Sequence, residues 1–430
     1  MRKNKIDIIS LGCSKNLVDS EHLMRQFQAA GYTVTHNSSR VDAETVVVNT
    51  CGFIADAQQE SIDTILRLGE AKRQGQIRNL FVMGCLSERF RADLIGALPE
   101  VDRFYGKFDW KGMLRDLGHA YRQDLAYERC LTTPPNYCYL KISEGCNRYC
   151  AFCAIPLITG RHTSVPMSIL LDEVRQLVDK GVKEFNIIAQ DLSSYGLDLE
   201  SRMMLPELID RMADIQGVEW IRLHYAYPTQ FPYDILPVMA SRDNVCSYLD
   251  IALQHISDKV LTNMRRHITR QETLDLLARL RREVPGIHIR TTLMVGFPGE
   301  GEQEFEELMD FVGKARFERM GAFAYSEENG TWAAQHLTDD IPDEVKQDRL
   351  QQLMALQEGI SLDLQEQKVG KTLRVIVDRE EDDYYIGRTE WDSPEVDPEV
   401  LITKEKPLAV GEFAQVRIKQ ALPFELIATP

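Results

Sequence analysis

Short apolar, β-branched runs alternate with amphipathic stretches along most of this 430-residue chain, and that alternation restricts the fold more than any other feature. Strand and helix in succession build parallel sheets with helices packed against them. Over roughly the first 125 residues, strands are expected at Ile6–Leu11, Thr45–Asn49 and Leu80–Met83. One helix between them takes Asp19 or Ser20 as N-cap, turns Leu23, Met24 and Phe27 to one face and ends before Gly31; a second runs around Ile62, Ile65 and Leu66 and stops near Gly75. The pattern is that of a doubly wound parallel α/β sheet.

From Tyr137 the alternation resumes, with six strand–helix units whose strands are Tyr137–Ser143, Glu184–Ala189, Trp220–Tyr225, Tyr248–Leu253, Ile287–Val295 and Met320–Tyr325. Helices such as Leu170–Val178, with Pro166 and Ser168 near its start, lie between them. Six units make a partial (β/α)6 barrel, with its chemistry at the C-terminal ends of the strands. A polar helix over Asp343 to Glu366 then leads into five short β-rich runs: Thr372–Val377, Tyr384–Ile386, Val400–Thr403, Phe413–Ile418 and Phe424–Ala428. Separated by charged turns, they predict a small C-terminal antiparallel β-barrel. The expected organisation is therefore an α/β domain over 1–125, a linker over 126–135 containing Thr132-Thr133-Pro134-Pro135, a central domain over 136–366 and a barrel over 367–430.

Composition excludes several classes. Hydrophobic residues at 44% and charged ones at 27% are ordinary for a globular protein, which rules out collagen-like or wholly disordered chains. No apolar run reaches the ~18 residues a bilayer span needs. The basic opening before Ile6 lacks a long apolar core and reads as the approach to a strand rather than a signal peptide, so a cytosolic, reducing setting is expected. Sixty-six Asp and Glu against 50 Lys and Arg give −16, which repels phosphate backbones and favours a basic partner, and no stable nucleic-acid binding or membrane contact is expected. The last 64 residues carry 13 acids against 9 bases, a net of −4, so the C-terminal barrel is a poor clamp for RNA. Nine cysteines in so long a chain point to metal or redox chemistry wherever they cluster.

Glu144-Gly145-Cys146-Asn147-Arg148-Tyr149-Cys150-Ala151-Phe152-Cys153 follows the first barrel strand, where barrel catalysts gather. Three thiolates spaced C-x3-C-x2-C hold three corners of a cubane iron–sulfur cluster and leave one iron open. A zinc site borrowing Cys138 or a histidine, or three buried thiols, are the competing readings. The spacing, with Phe152 before Cys153, resembles the signature of the radical S-adenosylmethionine superfamily. There the open iron chelates the cofactor, and one electron splits it to a 5′-deoxyadenosyl radical. Cofactor contacts implied by that resemblance are Phe152, Gln190 and Asp191 after strand two, Gln254 after strand four, and Gly296 and Gly299 of Gly-Phe-Pro-Gly after strand five. A satisfied polar residue or a plain turn is the alternative at these places. His255 beside Gln254 serves packing or hydrogen bonding as readily as chemistry.

Cys13, Cys51 and Cys85 each follow a different predicted strand of the N-terminal sheet, at the crevice where open α/β sheets bind ligands. Singly, each would pass as a small buried hydrophobe; together they suggest a second three-cysteine cluster, with Gly12, Gly52 and Gly84 leaving room for its bulk. Cys130, Cys138 and Cys246 show no such pattern and are read as structural. With both triplets and the three-domain plan, the whole chain resembles the methylthiotransferases of the radical S-adenosylmethionine type, whose C-terminal barrel is called TRAM. The resemblance implies two 4Fe-4S clusters, S-adenosylmethionine, and replacement of C–H by C–S–CH3, with a flavodoxin or ferredoxin as electron donor. One branch acts on the β-carbon of an aspartate in ribosomal protein S-twelve, another on a modified adenosine of transfer RNA. Lys15-Asn16-Leu17-Val18-Asp19-Ser20, His224-Tyr225-Ala226-Tyr227-Pro228 and Leu249-Asp250-Ile251-Ala252-Leu253-Gln254-His255 resemble the protein-modifying branch. The transfer-RNA branch and a two-cluster electron carrier without a substrate are the alternatives.

Overall fold

β1 (Arg2–Ser10), β2 (Thr33–His36), β3 (Ala43–Thr50), β4 (Asn79–Gly84) and β5 (Arg103–Phe104) form a parallel sheet in the order β2-β1-β3-β4-β5. The computed structural model describes residues 2–430, which divide into two compact units, and this sheet belongs to the first. β3 and β4 are buried along nearly their whole length because helices cover both faces. On one face Ile6, Ile8, Val47, Phe81 and Met83 pack against Leu23 and Phe27; on the other, Val46, Val48, Leu80 and Val82 meet Ile65, Leu68 and Leu86.

Helix α1 covers Ser14–Ala29, so Asp19 and Ser20 lie within it rather than capping it. Gly12, at φ +85°, turns the chain out of β1, and Cys13, extended, takes the N-cap position. α2 (Ala55–Arg73) and α3 (Cys85–Ala97) follow β3 and β4. The short β2 and β5 fall below the length at which alternation can be read from sequence.

In the second unit, β6 (Tyr137–Lys141), β7 (Glu184–Ile188), β8 (Trp220–Ala226), β9 (Val245–Ile251), β10 (His288–Val295) and β11 (Arg319–Ala324) make a six-stranded parallel sheet in sequential order. It is the partial barrel that the six strand–helix units predict. The polar helix spans Asp343–Glu366.

The C-terminal segment closes into a barrel from β12 (Thr372–Glu380), β13 (Tyr384–Thr389), β14 (Glu399–Thr403), β15 (Phe413–Leu422) and β16 (Glu425–Thr429). Four pairings are antiparallel, but the ring closes through a parallel β14–β16 pair, so the barrel is not antiparallel throughout. Val375, Val377, Val400, Ile402, Val416, Ile418 and Leu426 fill it.

The chain leaving β13 threads back to the six-stranded sheet of the same unit. Arg388 makes paired bonds to Glu184 (2.7 and 3.0 Å) and Asp378 (2.6 and 2.9 Å), and Arg222 bonds Glu184 at 3.1 Å. Burial alone would raise the Glu184 pKa, yet Arg388 and Arg222 hold it below the usual carboxylate value. Beyond them Trp391 stacks on His288, Asp392 pairs with Arg319, Glu395 accepts from Tyr139 at 3.1 Å, and Asp397 accepts from Tyr248 at 2.7 Å and Arg290 at 3.3 Å.

Candidate active site

In the first unit the three dispersed cysteines stand at the ends of β1, β3 and β4, and the strand order reverses between β1 and β3. That switch point opens a crevice outside the strand ends. Cys51 and Cys85 are buried, while Cys13 is exposed. A Cβ on Gly12 would fall 2.7 Å from Cys51 Cβ, and one on Gly52 would fall 2.7 Å from the Cys85 carbonyl carbon. The glycines thus draw the cysteine-bearing turns against one another; the space expected to receive a ligand's bulk is filled by the neighbouring turn.

Asn16 pins this arrangement. Its Nδ2 donates to the carbonyls of Leu11 (3.1 Å) and Thr50 (3.0 Å), and its Oδ1 lies 3.5 Å from Cys85 Sγ as acceptor. Burial pushes the Cys85 thiol up to about 12, with Lys107 pulling it down and Cys13 and Cys51 pushing it up. Cys51 is raised by burial, with Cys13 adding to the effect. Each of these thiols acts electrostatically on another, and Cys51 packs against the Gly12 turn that leads to Cys13. Among the described residues no three His, Cys, Asp or Glu side chains close on one point as a lone ion demands. An all-thiol donor set spread around a crevice suits an iron–sulfur cluster better than a single cation.

The C-x3-C-x2-C run lies between Glu144 and the helix Ile155–Thr159; Cys146 and Cys153 belong to segments of the first unit and Cys150 to the second. Within the first unit, Gly145 takes φ +78° with its α-carbon pressed on the Arg161 carbonyl, and the Cys146 N–H donates to Gly160 O at 3.3 Å. Cys85 shares an apolar cluster there with Ala154 and Ile158, which brings an N-terminal cysteine beside the segment that follows Cys153.

Within the second unit, Cys150 Sγ lies 3.3 Å from Arg266 Nη1 and 3.4 Å from the Tyr227 hydroxyl. Arg148 and Arg266 both stand over the Tyr227 ring, at 4.4 and 4.1 Å. The Ala151 N–H donates to Met264 O, and its carbonyl accepts from Ala333, which fixes the loop backbone on either side.

The expected cofactor contacts differ in character. Asp191 is buried, and its carboxylate takes Arg148 Nε at 2.7 Å, Ser193 N at 2.9 Å and Ser194 Oγ at 2.5 Å, so it braces the cysteine loop. Gln190 stands two residues past the end of β7. Gln254 sits in left-handed backbone (φ +72°) beside Leu293, with its Oε1 buried and unpaired. Phe152 meets Phe297 edge to face at 6.2 Å. Gly296 and Gly299 have φ +71° and +94°, and Cβ atoms there would strike Lys346 and Asn263. The turn uses its glycines for backbone freedom and close packing. His255 is fully buried, with Nδ1 accepting from Ser257 N and Nε2 3.1 Å from Glu300, which also takes Gly296 N and Arg349; it is a structural clamp.

Cys138 and Cys246 are buried in β6 and β9, burial pushing Cys246 up to about 12. Cys130 Sγ lies 3.1 Å from Gln28 Oε1.

Three family models match the chain in turn: an uncharacterised protein family, UPF0004, over residues 5–106, the radical SAM superfamily over 140–312, and the TRAM domain over 369–430. A relative from Parabacteroides distasonis named ribosomal protein uS12 methylthiotransferase RimO is 66% identical over 426 residues, covering 99% of each chain. The chain belongs to the uS12 methylthiotransferase family. A like-named relative from Bacteroides thetaiotaomicron is 61% identical and covers 100% of this chain and 98% of its own. The radical S-adenosylmethionine methyltransferase TsrM from Kitasatospora setae, solved with cobalamin and a 4Fe-4S cluster, superposes with a TM-score of 0.54 over 75% of each chain at 13% identity, a likeness of fold.

Membership in the uS12 methylthiotransferase family makes this chain a radical S-adenosylmethionine enzyme that transfers a sulfur-containing group. Arg148, Tyr227, Arg266 and Lys107 stand at the cysteines without having been singled out in the sequence. Arg148 and Tyr227 lie inside quoted motifs, whereas no local spacing marks Lys107 or Arg266. No helix among the described residues is long and apolar enough to cross a membrane.

Proposed function

We propose that this chain replaces a C–H bond at the β-carbon of an aspartate in ribosomal protein uS12, the S-twelve protein, by C–S–CH3. In this reading Cys13, Cys51 and Cys85 hold an auxiliary 4Fe-4S cluster, while Cys146, Cys150 and Cys153 hold the radical cluster. The observation that carries it is the apolar cluster that Cys85 shares with Ala154, next in sequence to Cys153, which sets the two thiol-bearing loops side by side. When bound, these clusters and S-adenosylmethionine supply hydrogen abstraction and a methylated sulfur.

The chain's own residues bind and orient. Arg266 and Tyr227 flank Cys150, Asp191 steers Arg148, and the unpaired Gln254 Oε1 is placed to accept from an ammonium such as that of a methionine moiety. Phe152, Gln190, Gly296 and Gly299 complete the cofactor's surroundings. Asp250 on β9 stands in register with Arg290 on β10, Asp397 reaches both strands through Tyr248 and Arg290, and Glu395 reaches β6 through Tyr139. The acidic balance of the chain, −16 overall, matches a basic polypeptide segment and repels nucleic-acid phosphates. The domains are taken as 1–125, 136–366 and 367–430, with 126–135 as linker. The reaction is placed in the cytoplasm with a flavodoxin or ferredoxin as reductant.

The test is anaerobic reconstitution of the full chain. About eight irons are expected. Alanine at Cys146, Cys150 and Cys153 halves the iron and stops 5′-deoxyadenosine formation. Alanine at Cys13, Cys51 and Cys85 halves the iron, spares cofactor cleavage and abolishes sulfur insertion. An unchanged uS12 mass in a strain lacking the gene, with an altered transfer-RNA nucleoside, refutes the substrate.

A further inference from the structure

Lys107 is a cation in a place the sequence gives no reason to expect. Its side chain is 2% exposed in the interior of the first unit, where an ammonium survives only with partners. Nζ lies 2.8 Å from Glu144 Oε1 and 3.6 Å from Asp19 Oδ2, and its backbone N–H donates to Glu88 Oε2 at 2.8 Å. Each of those carboxylates stands on a segment that carries a proposed cluster ligand. Asp19 is on α1, which starts directly after Cys13; Glu88 is in the first turn of α3, which starts at Cys85; Glu144 is two residues before Cys146. Lys107 acts electrostatically on Cys85, lowering the thiol's pKa against the effect of burial.

We propose that Lys107 is the buried counter-ion of the auxiliary cluster, held by Asp19 and Glu144 so that its charge favours the cluster's reduced form. Reduction adds one negative charge, and a fixed cation nearby stabilises the product of that step more than its reactant. Glu144 ties the same ammonium to the radical loop, so one charge bears on both sites. This rests on the reading of Cys13, Cys51 and Cys85 as cluster ligands. Lys107 is a positioning residue in this scheme: it acts through the cluster and touches no substrate.

The experiment uses the full chain with Cys146, Cys150 and Cys153 replaced by alanine, so that the auxiliary cluster alone is loaded. Its one-electron midpoint is read by spin resonance during anaerobic titration with dithionite, beside the iron count. Lys107→Met is expected to move the midpoint negative by a factor of ten in the reduction equilibrium, about 59 mV for one electron. Lys107→Arg is expected to hold it at the parent value. If Lys107→Met fails to take up iron, Lys107→Met with Glu144→Gln, which removes the charges as a pair, is read instead. A midpoint unmoved in the loaded variant overturns the proposal. Iron missing from both charge-removed variants but present at parent potential in Lys107→Arg supports it, and iron missing from Lys107→Arg too overturns it. A background chain that binds no iron before any change at Lys107 refutes the cluster reading itself, which separates the two failures.

Discussion

Asn16→Ala probes how the N-terminal crevice is held open for its ligands. The Asn16 side chain donates to Leu11 O at 3.1 Å and Thr50 O at 3.0 Å, carbonyls of the turns that present Cys13 and Cys51. Stranding a buried acceptor costs about 1–3 kcal/mol. The Thr50 acceptor is buried and the Leu11 acceptor only part-buried, so the second loss falls at the low end and the two together come to about 2–4 kcal/mol. A chain of this size does not unfold in one step, so a global melting temperature would blur the effect. Hydrogen exchange reads it locally, at the amides of Leu11, bonded to Asn49 O, and Cys51, bonded to Ser61 Oγ. At 1.4 kcal/mol per factor of ten, their protection is expected to fall by about 30- to 1000-fold, with auxiliary iron falling in parallel. Asn16→Asp, which keeps the shape but turns the donor into an anion facing two carbonyls, is expected to do at least as badly. Unchanged protection at both amides, or a loss spread evenly over β4 and the far edge of the sheet, would refute the idea that Asn16 fixes these turns.

Removing Arg388 strips Glu184 and Asp378 of a shared bidentate partner in a dry interior; Arg388→Met is expected to cost the second unit about 3–5 kcal/mol, read as a lowered urea midpoint, and Arg388→Lys to restore little because it lacks the planar fork. Lys368 supplies a pH dependence: burial, aided by Arg319, lowers its pKa from 10.5 to about 8. Between those values the unfolded chain binds more protons than the folded one, so stability rises as pH climbs from about 8 to 10.5, by about 3 kcal/mol in all. Lys368→Met is expected to flatten that rise in denaturant titrations at pH 7.5 and 9.5, and an equal slope in both proteins would count against it.

Buried parallel strands are legible because they are continuous apolar runs, and β3, β4 and the six strands from β6 to β11 fall where those runs lie. The start of α1 was harder to read. Asp19 and Ser20 look like caps, but the Gly12 turn lets the helix begin at once, and the Asp19 carboxylate is drawn to Lys107. The parallel closure of the barrel left no mark because pairing direction is a property of distant partners. The cysteines could be listed from sequence, each being an unusual residue at a strand end. Their surroundings could not: Lys107 gathers Asp19, Glu88 and Glu144 from separate elements, and Arg266 reaches Cys150 across 116 residues. From sequence Gly12 and Gly52 suggest room for a ligand; in the fold they let neighbouring turns close on one another, a distinction that depends on what the next turn brings.

The stretch from Arg388 to Asp397 has a bearing on engineering. Its side chains and carbonyls are the partners of Glu184, Arg222, Tyr248, His288, Arg290 and Arg319. A chimera that transplants a foreign C-terminal barrel to redirect the enzyme would therefore strip the donor-rich edge of the catalytic sheet of its complement. Excising the barrel would leave those cations bare. Any successful graft must carry this ten-residue hook along with whatever new surface it brings.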